Sequence, residues 1–320
     1  MSEPRVLVLD DDPPPDLGRL AGRARVLHSD EAGLAGLLPE ADVLLVWNFL
    51  SDAVKEAWPG EGPRPGWVHT ASAGVDRLLP ELADSDVMIT NARGVFDQPI
   101  AEYVAGLVLA MAKDFLGTWE LHRARQWRHR ETTRLGGTRA VVVGSGPIGR
   151  AIGRTLLALG VRVELVGRTP REGDAEFGRV HGAETLHDLL PTADWVVCAA
   201  PLTPATEGLF DAAAFARMRP GAAFVNIGRG AHVVTADLVD ALTAGRLRAA
   251  ALDVLEEEPL TPDSPLWRVP GLWISPHMSG DTLGWRGDLA EQFCDNFDRW
   301  AAGRPPLNIV DKKLGYVPAH

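Results

Sequence analysis

Cysteine is scarce in this sequence: Cys198 and Cys294 are the two present in 320 residues. Two cysteines cannot build a disulfide framework, so the expectation is reduced thiols in a cytoplasmic protein. Long hydrophobic runs are missing as well. The apolar stretch after Met1, Val6-Leu-Val-Leu9, is too short for a signal-peptide core, and no stretch is long enough to span a bilayer. Positive charge is also in deficit, with 32 Lys+Arg against 43 Asp+Glu and a formal net charge of −11. An acidic chain of this kind is expected to have no nucleic acid or anionic membrane as its partner, and any anionic small molecule must be captured by a local positive site. No internal repeat or low-complexity tract is present. What remains, 46% hydrophobic and 23% charged residues, is ordinary globular composition. The length suggests about two domains.

Short apolar runs alternate with longer amphipathic stretches. Val6-Leu-Val-Leu9, Val43-Leu-Leu-Val46, Trp67-Val-His-Thr70 and Val87-Met-Ile-Thr90 read as buried parallel strands. Residues 51–57 and 75–82 read as helical, and Asp11-Asp-Pro-Pro-Pro15 as a loop, because consecutive prolines continue neither strand nor helix. Pro99 suits a first helical turn, and Ile100, Val104, Leu107, Val108 and Met111 follow at helical spacing. One long helix is therefore expected over 100–116, with a polar arm carrying Trp119 and Trp127 behind it. A second series begins at Ala140-Val-Val-Val143, with later strands over 161–166, 195–199, 223–227, 249–254 and 273–275 and a last helix over 288–301. Two such series imply two doubly wound α/β units with parallel sheets.

The second series opens on a strand, then Gly144-Ser-Gly146-Pro147-Ile148-Gly149, then a helix. In that context the first glycine permits a tight turn and the second lets a pyrophosphate approach the backbone. The third lets helix and strand pack closely, with the phosphate at the helix N-terminus. The next strand ends in Gly167-Arg168-Thr169 and has no carboxylate at its tip. A ribose 2′-OH would be met there by an acid, whereas a guanidinium suits a 2′-phosphate, so NADP is preferred and NAD remains possible. Glu164 is acidic but sits mid-strand, too early to serve.

Three successive strand ends carry ionisable groups: Arg229 after Ala223-Phe-Val-Asn-Ile227, Asp253 with Glu256, Glu257 and Glu258 beyond it, and His277 after Ile274-Ser-Pro276. Ligands of open α/β sheets bind outside the carboxyl ends of strands. Reducing a carbonyl by hydride leaves negative charge on oxygen, and a histidine with an ordinary pKa of about 6.5 can supply the proton. An ionised carboxylate beside it would orient the ring and favour its protonated form. A planar guanidinium can grip a carboxylate through two hydrogen bonds. Composition alone leaves the three glutamates equal. No residue is singled out as a metal ligand.

These motifs, together with Pro201-Leu-Thr203-x-x-Thr206, Asn226-x-x-Arg229-Gly230, Glu258-Pro259, Ser72-Ala-Gly74-Val-Asp76 and Ala101-Glu102-Tyr103, make the chain resemble the D-isomer-specific 2-hydroxyacid dehydrogenases over nearly its whole length. It is nearest their glyoxylate/hydroxypyruvate reductase-like branch. The resemblance implies two Rossmann- or flavodoxin-like domains with an interdomain cleft. Residues 1–93 plus 283–320 would bind substrate, and 94–282 would bind the dinucleotide. It implies reduction of a small 2-keto acid to the D-2-hydroxy acid, with His277 as acid/base, Glu258 as its partner and Arg229 as the substrate clamp. Backbone amides of Ala73 and Gly74 would help hold the substrate carboxylate. Gly144, Gly146, Pro147, Ile148, Gly149, Arg168, Thr169, Pro201, Thr206, Ile227, Asp253 and Gly280 would line the cofactor, with Asp253 at the nicotinamide carboxamide. A homodimer through the Trp-bearing arm is implied too. Gly167-Arg168 departs from the Asp of NAD-type members, and Lys113-Asp114 stands where many members carry Arg.

Two other readings remain open. One is D-3-phosphoglycerate or phosphite oxidation, the former disfavoured by the lack of an extension past the Pro-rich tail. The other is a cofactor-binding sensor or corepressor without turnover, against which Arg229, Glu258 and His277 all speak. Trp47, Asn48, Phe49 and Trp285 are equally readable as a substrate pocket wall or as hinge packing.

Overall fold

The computed structural model describes residues 3–10 and 16–318; the expected loop at 11–15 lies outside them. The chain divides into two units, one formed by Met1–Phe96 with Thr282–His320 and one by Asp97–Asp281.

The first unit holds β1 (Arg5–Leu9), β2 (Arg25–Ser29), β3 (Val43–Val46), β4 (Trp67–Thr70) and β5 (Met88–Asn91). They form a parallel sheet in the order β2-β1-β3-β4-β5. Strands β3 and β4 are buried along their whole length, as expected where both faces of a parallel sheet are covered. Strand β2 escapes the apolar pattern because it is an edge strand with largely accessible side chains. Short helices α1 (Leu34–Leu37), α2 (Ala53–Ala57) and α3 (Leu79–Leu82) make the crossovers. The segment returning late in the chain adds an antiparallel bridge from Ile309 to Thr90 of β5.

The second unit opens with α4 (Asp97–Ala112) and α5 (Phe115–Arg123). The single helix expected over 100–116 is thus two. Asp114 takes a left-handed conformation (φ 49°), and its carboxylate accepts a hydrogen bond from the Gly117 N–H at 3.1 Å, starting a new helix. Lys113 Nζ donates to the Thr133 carbonyl at 2.8 Å and Arg130 Nε to Asp114 Oδ2 at 2.7 Å. Lys113 and Asp114 thus anchor the returning arm. The apolar face of α4, including Ile100, Val104 and Val108, is buried, and α4 packs along α6 (Pro147–Ala158).

The sheet of this unit comprises β6 (Arg139–Val143), β7 (Arg162–Gly167), β8 (Arg171–Asp174), β9 (Gly178–Gly182), β10 (Trp195–Cys198), β11 (Ala222–Asn226), β12 (Leu247–Leu252) and β13 (Leu272–Ile274). Their order is β13-β12-β11-β10-β6-β7-β9-β8, parallel except for the β8–β9 hairpin. That hairpin is polar and outermost, so no apolar run betrays it in the sequence. The remaining helices here are α7 (Leu186–Leu189), α8 (Ala212–Arg217) and α9 (Thr235–Thr243). Phe210, Phe215 and Phe224 fill the core beside them, with the Phe210 and Phe224 rings 4.7 Å apart. Removing one such ring costs roughly 3–5 kcal/mol. The strand order reverses between β6 and β10, which opens a crevice beyond their carboxyl ends. Helix α10 (Trp285–Ala301) belongs to the first unit and starts earlier than the expected 288.

Among the described residues, no helix is long and apolar enough to cross a membrane.

Candidate active site

The glycine motif lies at the β6–β10 reversal. Gly144 has φ 118°, and a Cβ there would come within 2.4 Å of the Ala199 carbonyl oxygen. A Cβ on Gly149 would lie 1.8 Å from the Gly144 carbonyl oxygen, so helix and strand meet only because neither residue has a side chain. At Gly146 the situation is reversed. Its Cβ would meet nothing within 4 Å, and this residue precedes α6 without a side-chain cap. Bare amides at the N-terminus of a helix, open to an approaching group, are what a pyrophosphate requires. Pro147 and Ile148 form the first turn. A dinucleotide therefore fits the residues present.

At the tip of β7, the room left by Gly167 is taken by Ser145, whose Oγ would lie 2.4 Å from an added Cβ. Arg168 and Thr169 follow it at the surface. Glu164 is held by His181 Nε2 at 2.8 Å, on the body of the strand and away from its tip. Across the reversal, the Pro201 loop closes on itself: Thr206 Oγ1 donates to the Pro201 carbonyl at 2.8 Å and accepts from the Thr203 N–H at 2.9 Å. Ile227 is buried at the end of β11.

Arg229, Glu258 and His277 come together after β11, β12 and β13. Asn226 builds the Arg229 loop, its amide donating to the Arg229 carbonyl at 2.8 Å and accepting from the Gly228 N–H at 3.1 Å. Glu258 is the glutamate that reaches the histidine. Its Oε2 bonds His277 Nδ1 at 2.9 Å, and its Oε1 accepts from the Leu255 N–H at 2.8 Å. Glu256 instead bonds Thr235. Burial opposes ionisation of Glu258, but the hydrogen bonds from His277 and Leu255 and the charges of His277 and Arg229 outweigh it, so the carboxyl lies below its ordinary range. The pair is part-buried, with 23% of each side chain accessible, enough to meet a ligand.

His277 has φ 54°, a left-handed conformation that costs a non-glycine residue on the order of 1–3 kcal/mol. Asp253 holds it there. The backbone carbonyl of this buried residue accepts from the His277 N–H at 2.8 Å. Its carboxylate accepts from the N–H groups of Met278 at 3.1 Å and Ser279 at 2.9 Å, and from Ser275 Oγ at 2.6 Å. Both carboxylate oxygens thus have internal donors, so the geometry gives Asp253 a firm hold on the turn that carries His277. Gly280 is buried at the end of that turn. Tyr103 of α4 joins the same network: burial raises its pKa, opposed by its hydrogen bond to Ser275.

The chain as a whole matches known proteins. Residues 105–279 fit the family model described as D-isomer specific 2-hydroxyacid dehydrogenase, NAD binding domain. The chain belongs to the D-isomer specific 2-hydroxyacid dehydrogenase family. It is an NAD(P)-dependent oxidoreductase of that class. Glyoxylate/hydroxypyruvate reductase A of Serratia proteamaculans is 30% identical over 305 residues, covering 89% of this chain and 95% of that protein. D-3-phosphoglycerate dehydrogenase of Mycobacterium tuberculosis is 33% identical over 88% of this chain, which spans 54% of that protein. The crystal structure of an NADPH-dependent glyoxylate/hydroxypyruvate reductase from Sinorhizobium meliloti, in complex with NADP and sulfate, superposes with a TM-score of 0.85. It has 27% identity and covers 98% of this chain and 100% of that one.

In the first unit of this dehydrogenase, Ala73 and Gly74 occupy the turn after β4. Their carbonyls are tied to Asn91 Nδ2 at 2.7 Å and Ser72 Oγ at 2.6 Å. Trp47 is buried, whereas Phe49 and Trp285 are half-buried and meet edge to face with centroids 6.4 Å apart. Reading the sequence for strand-end charges finds Arg229, Glu258 and His277 but passes over Asn226, His232 and Ser275. For His232 a signal was present: a polar residue placed three after Arg229 and followed by two valines.

Proposed function

We propose that this dehydrogenase reduces a small 2-keto acid of the glyoxylate or hydroxypyruvate kind to the D-2-hydroxy acid. The carrying observation is the His277–Glu258 hydrogen bond of 2.9 Å, with Arg229 close enough to help keep Glu258 ionised. Glu258 occupies Nδ1 of His277, which leaves Nε2 as the nitrogen that gives its proton to the carbonyl oxygen as the oxygen gains charge. Arg229 grips the substrate carboxylate and polarises the carbonyl. For the first unit, the proposal is that the Ala73 and Gly74 amides hold a carboxylate, their loop being fixed by the bonds to Asn91 and Ser72.

The bound nicotinamide cofactor supplies the hydride. Gly144, Gly146, Pro147, Ile148 and Gly149 would take its pyrophosphate, Pro201, Thr206, Ile227 and Gly280 its neighbouring surfaces, and Arg168 with Thr169 a 2′-phosphate. NADPH is preferred in this reading because the tip of β7 offers Arg168 where an NAD site offers a carboxylate, and because the Sinorhizobium meliloti relative is crystallised with NADP. Asp253 enters the reading both as the support of His277 and as the contact to the nicotinamide carboxamide. Exposed Phe115, Leu116, Trp119 and Trp127 on α5 and the arm after it support a homodimer through this surface. Two free, buried cysteines support the cytoplasm as its compartment.

A spectrophotometric screen of glyoxylate, hydroxypyruvate, pyruvate and phenylpyruvate, each with NADH and NADPH, tests the proposal, with D-3-phosphoglycerate and phosphite assayed in the oxidative direction. Fastest turnover of glyoxylate or hydroxypyruvate with NADPH is the expected outcome. Oxidation of phosphoglycerate or phosphite alone would refute it, as would cofactor binding without turnover of any acid.

A further inference from the structure

We propose that His232 is a positioning residue that fixes Arg229 above the end of β11, acting as a neutral imidazole with its proton on Nε2. The proposal rests on the reading of Arg229 as the substrate clamp.

The His232 ring is fully buried and bridges two backbone groups from different loops. The Arg229 N–H donates to Nδ1 at 3.0 Å, and Nε2 faces the Pro201 carbonyl oxygen at 3.4 Å. An N–H donor needs a lone pair on Nδ1, while a carbonyl oxygen needs a proton on Nε2. One neutral tautomer satisfies both. The Arg229 carbonyl also lies 3.0 Å from Nδ1, but it already accepts from Asn226 Nδ2 at 2.8 Å and from the His232 N–H at 3.2 Å. A proton on Nδ1 would add little there and would confront the Arg229 N–H.

The residues flanking Arg229 show how closely the loop is held. A Cβ on Gly228 would lie 2.9 Å from His232 Cε1 and 3.0 Å from the Ala200 carbonyl oxygen. A Cβ on Gly230 would lie 1.9 Å from the Leu255 carbonyl carbon. Arg229 is thus wedged between the Ala200–Pro201 segment and the Leu255–Glu256 segment. On the second side, the backbones pack closely. On the first, His232 adds a hydrogen-bonded link, and Leu255 in turn donates to Glu258. Losing the imidazole frees one wall of the wedge and lets the guanidinium shift relative to Glu258 and His277. A displacement on the order of 1 Å can cost about 100-fold in rate.

The experiment is a double-mutant cycle on kcat and KM for the keto acid that the screen selects, using His232→Leu, His232→Asn and Arg229→Lys. His232→Leu removes both ring contacts and is expected to lower kcat/KM about 10- to 100-fold, with kcat included in the loss. His232→Asn returns an acceptor to the Arg229 N–H and is expected to recover most of that loss, which a packing role alone would not give. In the Arg229→Lys background, the His232→Leu penalty should shrink to about threefold or less. Equal penalties in both backgrounds overturn the proposal, as does an unchanged kcat/KM in His232→Leu. An unchanged kcat/KM in Arg229→Lys overturns the clamp reading and this proposal with it; a clear Arg229→Lys defect with additive penalties overturns this proposal alone. Should His232→Leu fail to fold, long-range proton–nitrogen NMR of the wild-type enzyme at neutral pH decides. An Nε2–H imidazole supports the assignment, and an Nδ1–H or doubly protonated ring overturns it.

Discussion

Buried polar side chains sit in two kinds of place in this molecule, at strand ends and in strand interiors, with different consequences. In the second unit Asn226, His232 and Asp253 lie at or just past the carboxyl ends of β11 and β12, each hydrogen-bonded to the loops around it. Above them stand Arg229 and His277, the groups that can touch a ligand. In the first unit buried Ser72 and Asn91 likewise hold the Ala73–Gly74 loop, but His69 lies in the body of β4, among Trp67, Thr90 and Phe293. Its Nδ1 meets Thr90 Oγ1 at 2.7 Å, while Nε2 is buried with no hydrogen-bond partner among the described residues. Buried polarity at a strand end builds a rigid rim for chemistry. Buried polarity in mid-strand, at His69, bears on stability.

The sharpest way to break this contrast is at the rim. Arg229→Ala and His277→Ala should each lower kcat by about 10²–10³, the usual loss for one electrostatic or proton-donating group. Both should leave thermal unfolding almost unchanged, since the loops are held by Asn226, His232 and Asp253. Steady-state kinetics beside calorimetry checks this, and wild-type turnover in either variant removes that residue from the site.

His69 should behave in the opposite sense. Burial lowers its pKa from 6.5 to about 3. Between those values the unfolded chain binds a proton that the folded chain refuses, so the stability is fully present above pH 6.5 and is lost as the pH falls toward 3. Near pH 5 the loss amounts to about 2 kcal/mol. Hydrogen exchange of the Trp67–Thr70 amides at neutral and acidic pH would show it. His69→Gln should flatten the dependence without changing kcat at neutral pH; an equal acid loss in the variant and the wild type would exonerate the histidine.

The smallest effect belongs to Arg168, at the surface past β7. Arg168→Ala should raise KM for NADPH about tenfold and leave KM for NADH nearly as it was. Parallel losses with both cofactors would show that Arg168 does not read the 2′-phosphate.

The sequence announces what lies inside. Val6-Leu-Val-Leu9, Val43-Leu-Leu-Val46 and Val141-Val-Val143 are legible because strands covered on both faces must be apolar throughout. Strands β2 and β8 are not, because edge positions tolerate the mixed composition of loops, and β9, one strand in from the edge, is no more apolar. The break at Asp114 is hidden for another reason: its cause is one backbone conformation, while the apolar spacing runs on through Phe115 and Leu116. The charged members of the site were readable from their places at strand ends. Those that hold them, such as Asn226 and His232, act through backbone groups whose positions only the folded chain defines.

The first unit is assembled from two distant stretches, and its late stretch is structural. Phe293 stacks on Trp67 with centroids 5.6 Å apart, and Arg19 binds Glu291, Asp295 and Asp298 at 2.5, 2.9 and 2.8 Å. During translation, the inner unit is therefore complete while the outer one still waits for its closing helix. Trp67 remains without its stacking partner until the ribosome has passed α10, and a nascent chain stalled before that point would hold a finished nucleotide fold beside an unfinished neighbour.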